Sequence, residues 1–426
     1  MRQNFVLWAL ILVLPLLIYF NLQPFSLLPL GVLLASMVFW SVALVRCGGW
    51  RDIRLSYLQL LVLWATTRFL SLFAGEPSVD DDVYRYLWDG ARWICDGEPF
   101  SGPPLSRFDQ ALPADMSWLA DRMNYPGLAT IYGPLWVMIG SVAWTLSPTT
   151  LIGWKTLSIL FELALLIGTR CMVSRGALFA WLTCPIVFWE IHLQCHAEVF
   201  ALGFWLLAMA KVRRGQFFLA GLFLSLAIGG RWSMVVPVGL ACLSCRCDQD
   251  NRRRLVFGGA FGAALLGALL LTMGPFNLTG FRALAEDWVF NPIVWKWFPE
   301  QPSIVWILGL GLFLLLYQRP WKYQIDNLEL WSILFAVWLV VSPVVNPWYL
   351  LWLVPGFIAI HAWSWWSLWL AAIPIAYLQA QWMGDLDHPK GLHHHPDIVW
   401  WAQAGVMSWI GLRGAWLAYR RTKGGS

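Results

Sequence analysis

The chain has 426 residues, of which 59% are hydrophobic and 12% charged, with 32 tryptophans and a formal net charge of +5. So little polar surface cannot cover a water-soluble globule, and the composition describes an integral membrane protein. The bases lie in short loops between apolar segments, so the positive charge reports topology and points to no nucleic-acid partner.

About 20 apolar residues cross the roughly 30 Å hydrocarbon core of a bilayer, and residues 6–20, 55–74, 255–273 and 399–419 are candidate spans of this kind. In all, about 12 to 15 hydrophobic segments are present, some too short to span alone. The expected fold is all-α, a polytopic membrane protein with one transmembrane domain over residues 1–426. The first segment, "LPLLIYFNLQPFSLLPL", offers no small-residue cleavage site and is expected to be retained. Residues 420–426 read as a basic, disordered tail.

Basic clusters mark the cytoplasmic side at Arg46/Arg51/Arg54, Lys211/Arg213/Arg214, Arg246/Arg252/Arg253/Arg254, Arg319/Lys322 and Arg413/Arg420/Arg421/Lys423. Counting passes between them places residues 75–127 outside, as an acidic loop with amphipathic helices. That loop holds ten acids against four bases, a formal charge of −6 and opposite in sign to the whole chain. The same count puts "HAEV", the loop at 274–302, "NPWY" and "HHHPD" on the external face. Residues 128–146 and 154–171 supply two further passes, which leaves Arg170 and Arg175 outside, against the positive-inside bias. A buried half-helix near Tyr132 to Pro134, or a plain exception, resolves the parity. No internal repeat is found. The cysteines of "CLSCRC" (Cys242, Cys245, Cys247) lack a matching second half and read as reduced interfacial thiols.

The external loop opens with "DDDVYRYLWDGARWICDGEPF" at residues 80–100. A helix starting near Val83 places Asp82, Tyr86, Asp89 and Trp93 on one side, and spaces Asp81 and Arg85 for pairing. Asp80, Asp81 and Asp82 suit a helix N-terminus. Capping needs one or two carboxylates, however, and three packed against aromatic rings repel one another, so catalysis or ligand binding stands beside capping. "NYPGLATIYGPLW" returns the chain to the membrane through Tyr125 and Tyr132, residue types equally at home at any interface. In "HLQCHAEVFAL", His192 and His196 are four apart and Glu198 follows, so one helical turn carries two rings and a carboxylate. A metal site, an acid/base pair and a structural polar cluster all fit; with no third ligand, no metal is assigned.

Arg231, in "GRWSMVVP", reads as the meeting point of two short helices, where a costly intramembrane charge needs an acid or a lipid phosphate. Asn346, Trp348 and Tyr349 in "NPWYLLW" are interface anchors or a platform for a sugar ring. His388, His393, His394 and His395 lie in an exposed loop with incidental metal affinity.

Together "DDVYRYLWDG", "GEPF", "IYGPL", "HAE", "GRWSMVVP" and "NPWYLLW" resemble the GT-C superfamily of multi-pass glycosyltransferases, closest to its polyprenyl-phosphate-mannose-dependent mannosyltransferases. The resemblance covers roughly residues 55–355. It departs at Glu98-Pro99-Phe100, where the family has Asn-Pro-Tyr, and at Gly133-Pro134, where a doubled Pro is usual. It implies inverting transfer of a hexose, with mannose first, from a polyprenyl-phosphate donor to a lipid-linked glycan, glycolipid or cell-surface acceptor on the non-cytoplasmic face of a bacterial inner or plasma membrane. Asp81 best matches the first acid of the family's pair and takes the base role, with Asp80 and Asp82 as alternatives. The same resemblance gives Arg231, His196 and Arg85 to the donor phosphate, and Tyr84, Asp89, Tyr132, Glu198, Asn346, Trp348 and Tyr349 to substrate. No cofactor is required beyond the bilayer and the lipid donor, and a divalent metal is compatible but not demanded. The rival reading is a transporter or flippase of lipid-linked sugars, which would place its charges near the bilayer midplane and show repeat symmetry.

Overall fold

A computed structural model describes residues 32–33, 35–40, 55–78, 80–107, 113–170, 172–244, 247–287, 294–298, 304–305, 307, 309–311 and 328–356, and every regular element among them is helical. The candidate spans at 6–20 and 399–419 lie outside the described residues. So do Cys245, the tail, His388 and His393 to His395, and the bases at 46, 51, 54, 246, 319, 322, 413, 420, 421 and 423.

Helix α1 (Tyr57–Ser71) starts at Ser56, whose hydroxyl accepts from the Gln59 N–H while the Gln59 side chain accepts from the Ser56 N–H, closing a reciprocal cap. Helix α2 (Asp82–Cys95) and the short α3 (Ala114–Ala120) lie in the acidic loop. Helix α4 (Pro134–Leu146) opens on a proline, and α5 (Ile152–Thr169) follows. Ser174 caps α6 (Arg175–Thr183), and α7 (Pro185–Leu193) widens into a π-helix from Phe188. Then come α8 (Glu198–Arg213), α9 (Phe217–Gly230), α10 (Val235–Ser244), α11 (Gln249–Leu271), α12 (Thr279–Asp287) and α13 (Leu328–Val341). Helices α9 and α10 meet at Arg231 through a 3-10 turn, as "GRWSMVVP" suggests, and "PWYLLW" forms a second such turn at Pro347–Trp352.

Among the described residues, α5 and α11 are long and apolar enough to cross a membrane, and α6 with α7 makes a third span if the pair, bent by 57°, counts as one. On α11 the side chains of Val256, Phe257, Phe261, Leu265 and Leu271 are exposed, an apolar face suited to lipid. The segment expected at 128–146 is helical only from Pro134, and 13 residues reach about 20 Å against the roughly 30 Å core, the length of a half-helix.

Close helix crossings depend on small residues. A Cβ on Gly90 of α2 would collide with the backbone of Gly140 and Ser141 on α4, and one on Gly140 with the Tyr86 carbonyl. Gly221 and Gly258 make the same close approach between α9 and α11.

The deepest polar feature joins α1, α5, α6 and α7. Arg68 donates Nε to Glu162 Oε2 and Nη2 to Glu162 Oε1, both at 2.8 Å. Trp64 and Trp181 add their indole N–H groups at 3.0 and 2.9 Å, and Arg68 Nη1 reaches the Leu182 carbonyl. His192 Nε2 lies 3.3 Å from the same carboxylate. Arg68 and Glu162 are both 0% exposed, so the forked geometry and the extra donors must offset a large desolvation cost. Glu162→Ala is expected to lower stability by about 3–5 kcal/mol by stranding the Arg68 charge, whereas the double change Arg68→Met, Glu162→Leu restores most of the loss. Thermal melts of the detergent-purified protein measure both.

Candidate functional site

The acidic stretch folds as α2 because its carboxylates crowd the N-terminal turn and its aromatic face finds α4. Asp80 Oδ1 accepts the Asp82 N–H at 2.9 Å, so one of the three acids does serve the helix start. Asp81, at the cap position, makes no side-chain capping bond. Asp82 turns inward: Asn124 Nδ2 donates to Oδ1 at 2.7 Å and the Tyr86 hydroxyl to Oδ2 at 3.2 Å. Tyr86 is packed among Tyr132, Trp136 and Trp154, with ring centroids 4.8 to 5.1 Å away.

Burial pushes all three carboxyls upward. Asp80 stands well above the usual range, with the neighbouring Asp82 and Asp81 charges adding to desolvation. Asp81 is pushed up to about 7, by burial first and by the Asp82 charge second. Asp82 is raised by burial, against the hydrogen bonds of Asn124, Tyr132 and Tyr86 and the Arg231 charge.

His196 reaches this cluster through a break in the helix. The π-helix ends as Gln194 N donates to the Trp189 carbonyl, and Cys195 then takes φ +62. That left-handed conformation is uncommon for a residue with a Cβ and costs on the order of 1–3 kcal/mol. Two bonds hold it: Trp154 Nε1 to the Cys195 carbonyl at 2.9 Å, and the His196 N–H to the Glu190 carbonyl at 2.9 Å. The break corrects the expected pairing of His192 and His196 on one turn: His192 faces Glu162, while His196 faces Glu190, Nε2 to Oε2 at 3.2 Å. The His196 ring stacks on Trp348 with centroids 4.0 Å apart. Asp80, Asp82 and His196 each bring one ligand atom within 4.8 Å of the others, which makes them the candidate residues for a cation.

Arg231 closes the far side. Its Nη1 lies 3.0 Å from Glu198 Oε1, so its acid partner is Glu198. The guanidinium sits 4.0 Å from the Tyr349 ring centroid and 5.8 Å from that of Trp136, in cation–π geometry. Thus helix ends far apart in sequence converge: the start of α2, the start of α8, the end of α9 and the turn that follows α13.

Three of the expected site residues have structural partners of their own. Arg85 pairs with Asp89 and not with Asp81: its Nε bonds Asp89 at 3.2 Å, and Nη1 and Nη2 bond the carbonyls of Tyr125 and Leu128. Asp89 is therefore the buried carboxylate that anchors this fork. Tyr84 lies on the other side of α2, edge-on to Trp118 at 5.7 Å and bonded to Glu76. The reason is helical geometry: Tyr84 is two residues from Asp82 and Tyr86, and such neighbours do not share a face. Asn346 precedes the turn that carries Trp348 and Tyr349 and so remains beside the site.

Glu190 and Asn124 also belong to this cluster, through His196 and Asp82. Glu190 had a signal, a lone acid inside the apolar run "CPIVFWEIHLQ". Asn124 had none, because its value comes only from the fold of the returning loop. Comparison of the chain with protein-family models, curated proteins and solved structures finds no match. Arg85→Lys keeps the charge but loses the fork that clamps residues 125–128, and is expected to cost about 1–3 kcal/mol. Melting temperature and proteolysis of that loop are the readouts; no change in either would show that the clamp is dispensable.

Proposed function

We propose that the chain is a multi-pass membrane glycosyltransferase of the GT-C type, with about 12 to 15 hydrophobic helices. It moves a hexose, mannose in the first instance, from a polyprenyl-phosphate donor to a lipid-linked or cell-surface glycan on the non-cytoplasmic face. The observation that supports this best is the convergence of the Asp80–Asp82 carboxylates with His196, Arg231, Trp348 and Tyr349 at adjoining helix ends. Charges at helix ends favour chemistry at a membrane face over transport through the bilayer midplane.

In the proposed reaction a carboxylate accepts the proton of the acceptor hydroxyl as that oxygen bonds the anomeric carbon. The bond from that carbon to the phosphate oxygen breaks with inversion, and polyprenyl phosphate leaves with the electron pair. Asp81 takes the base role because its side chain is free of capping duty and stands outside the Asp80–Asp82–His196 group. Arg231, whose planar fork offers N–H donors beyond the one facing Glu198, meets the departing phosphate, with His196 nearby. Trp348 and Tyr349 supply ring faces and edges for the sugar.

Purified protein with radiolabelled polyprenyl-phosphate mannose and a panel of glycan acceptors tests the reading. Asp81→Asn is expected to lower kcat by about 10²–10⁴-fold with the donor KM little changed. Arg231→Ala should act mainly on the donor. Full transfer in Asp80→Asn, Asp81→Asn and Asp82→Asn alike would eliminate a carboxylate base, and an unaltered donor dependence in Arg231→Ala would remove that residue from the site. Donor translocation across sealed vesicles without any transfer would favour the flippase.

A further inference from the structure

Carboxylates dominate the polar lining around α2. Asp80, Asp81, Asp82, Glu190 and Glu198 lie close enough to act on one another electrostatically, while Arg231, a cation among them, is engaged by Glu198. Buried like charges at this density are costly unless protons or cations relieve them.

We propose that Asp80, Asp82 and His196 bind a single divalent first-row transition ion, with Mn²⁺ or Zn²⁺ chemistry. The three ligand atoms, from two segments more than a hundred residues apart, lie within 4.8 Å of one another. Two carboxylates and an imidazole suit these ions, whereas Mg²⁺ and Ca²⁺ favour oxygen alone. A second observation points the same way: His196 is 0% exposed, yet neither Nδ1 nor Nε2 has a hydrogen-bond partner among the described residues. A buried ring nitrogen without a partner is costly unless it binds something.

The surroundings orient each ligand. Glu190 Oε2 stands 3.2 Å from His196 Nε2 without hydrogen-bond alignment, close enough to accept that N–H when a metal on the other ring nitrogen sets the tautomer. Trp348 stacks on the ring and fixes its plane. Asn124 and Tyr86 set the Asp82 carboxylate, and the Asp82 N–H sets Asp80. Asp80 and Asp82 are half-buried, so the ion would keep positions open on the loop side for water or an anionic ligand. The site stands whether or not the chain transfers sugars, because its test reads metal and not turnover.

The full chain in detergent, stripped by chelation and dialysis, is titrated with Mn²⁺ and followed by electron paramagnetic resonance. His393→Ala, His394→Ala and His395→Ala are combined as the background, since that native histidine run would bind metal by itself. One tightly held Mn²⁺ per chain is expected, with nitrogen coupling from one imidazole and displacement by Zn²⁺. Asp80→Asn, Asp82→Asn and His196→Gln should each weaken binding by roughly ten-fold or more, while Asp115→Asn, an acid elsewhere in the same loop, should not. His196→Gln should also abolish the nitrogen coupling. Absence of binding up to about 1 mM, equal affinity in every variant, or bound Mn²⁺ without nitrogen coupling would overturn the assignment. If a ligand variant fails to fold, the nitrogen coupling of the background protein decides.

Discussion

A carboxylate with no exposed surface, set among apolar helices, can stay charged only if its lone pairs are filled. Four N–H bonds from Arg68, Trp64 and Trp181 fill those of Glu162 and oblige α1, α5 and α6 to meet. His192 ties in the start of the bend toward the site, because it sits on the π-helix that faces the same carboxylate. That π-helix also carries Glu190, and the chain leaving it turns at Cys195 to present His196. The core ion pair and the candidate site are therefore two sides of one short segment, and the geometry of the second depends on the anchoring of the first.

The site itself is a balance between crowded acids and a few groups that restrain them. Asn124, Tyr86 and a backbone N–H hold Asp82 and Asp80 in place, while Arg231 is shared between Glu198 and the Tyr349 ring. These restraints come from separate helices, so the cluster exists only when the packing of α2 on α4 and of α8 on α9 is complete. Gly90 and Gly140 allow the first of those contacts by letting two backbones touch. Under the proposed glycosyl transfer, the same arrangement would put a proton acceptor and a phosphate-binding cation around one sugar.

Much of the local structure could be read from residue order. Asp82 accepts from Tyr86 one turn on, and Arg231 separates two short helices. The pairing of charges was less legible. Arg85 lies four residues from both Asp81 and Asp89, and helical spacing alone cannot choose between them; the carbonyls of Tyr125 and Leu128 draw the guanidinium toward Asp89. His192 and His196 also share helical spacing, yet a non-glycine residue with positive φ lies between them and sends the rings to different acids. Nothing in "HLQCHAE" announces such a turn, because it is sustained by the Trp154 N–H donating to the Cys195 carbonyl and the His196 N–H donating to the Glu190 carbonyl.

Residue order by itself determined the helical, strongly apolar character of the chain, the acidic loop ahead of α4, and the residue types available for chemistry. Those properties follow from hydrophobic periodicity and local capping, which act over a few residues. Which acid meets which base was decided only by the tertiary structure. Buried charges are satisfied by partners that lie close in space, and the contacts between Glu162 and Arg68, Glu198 and Arg231, and His196 and Trp348 join residues far apart along the chain.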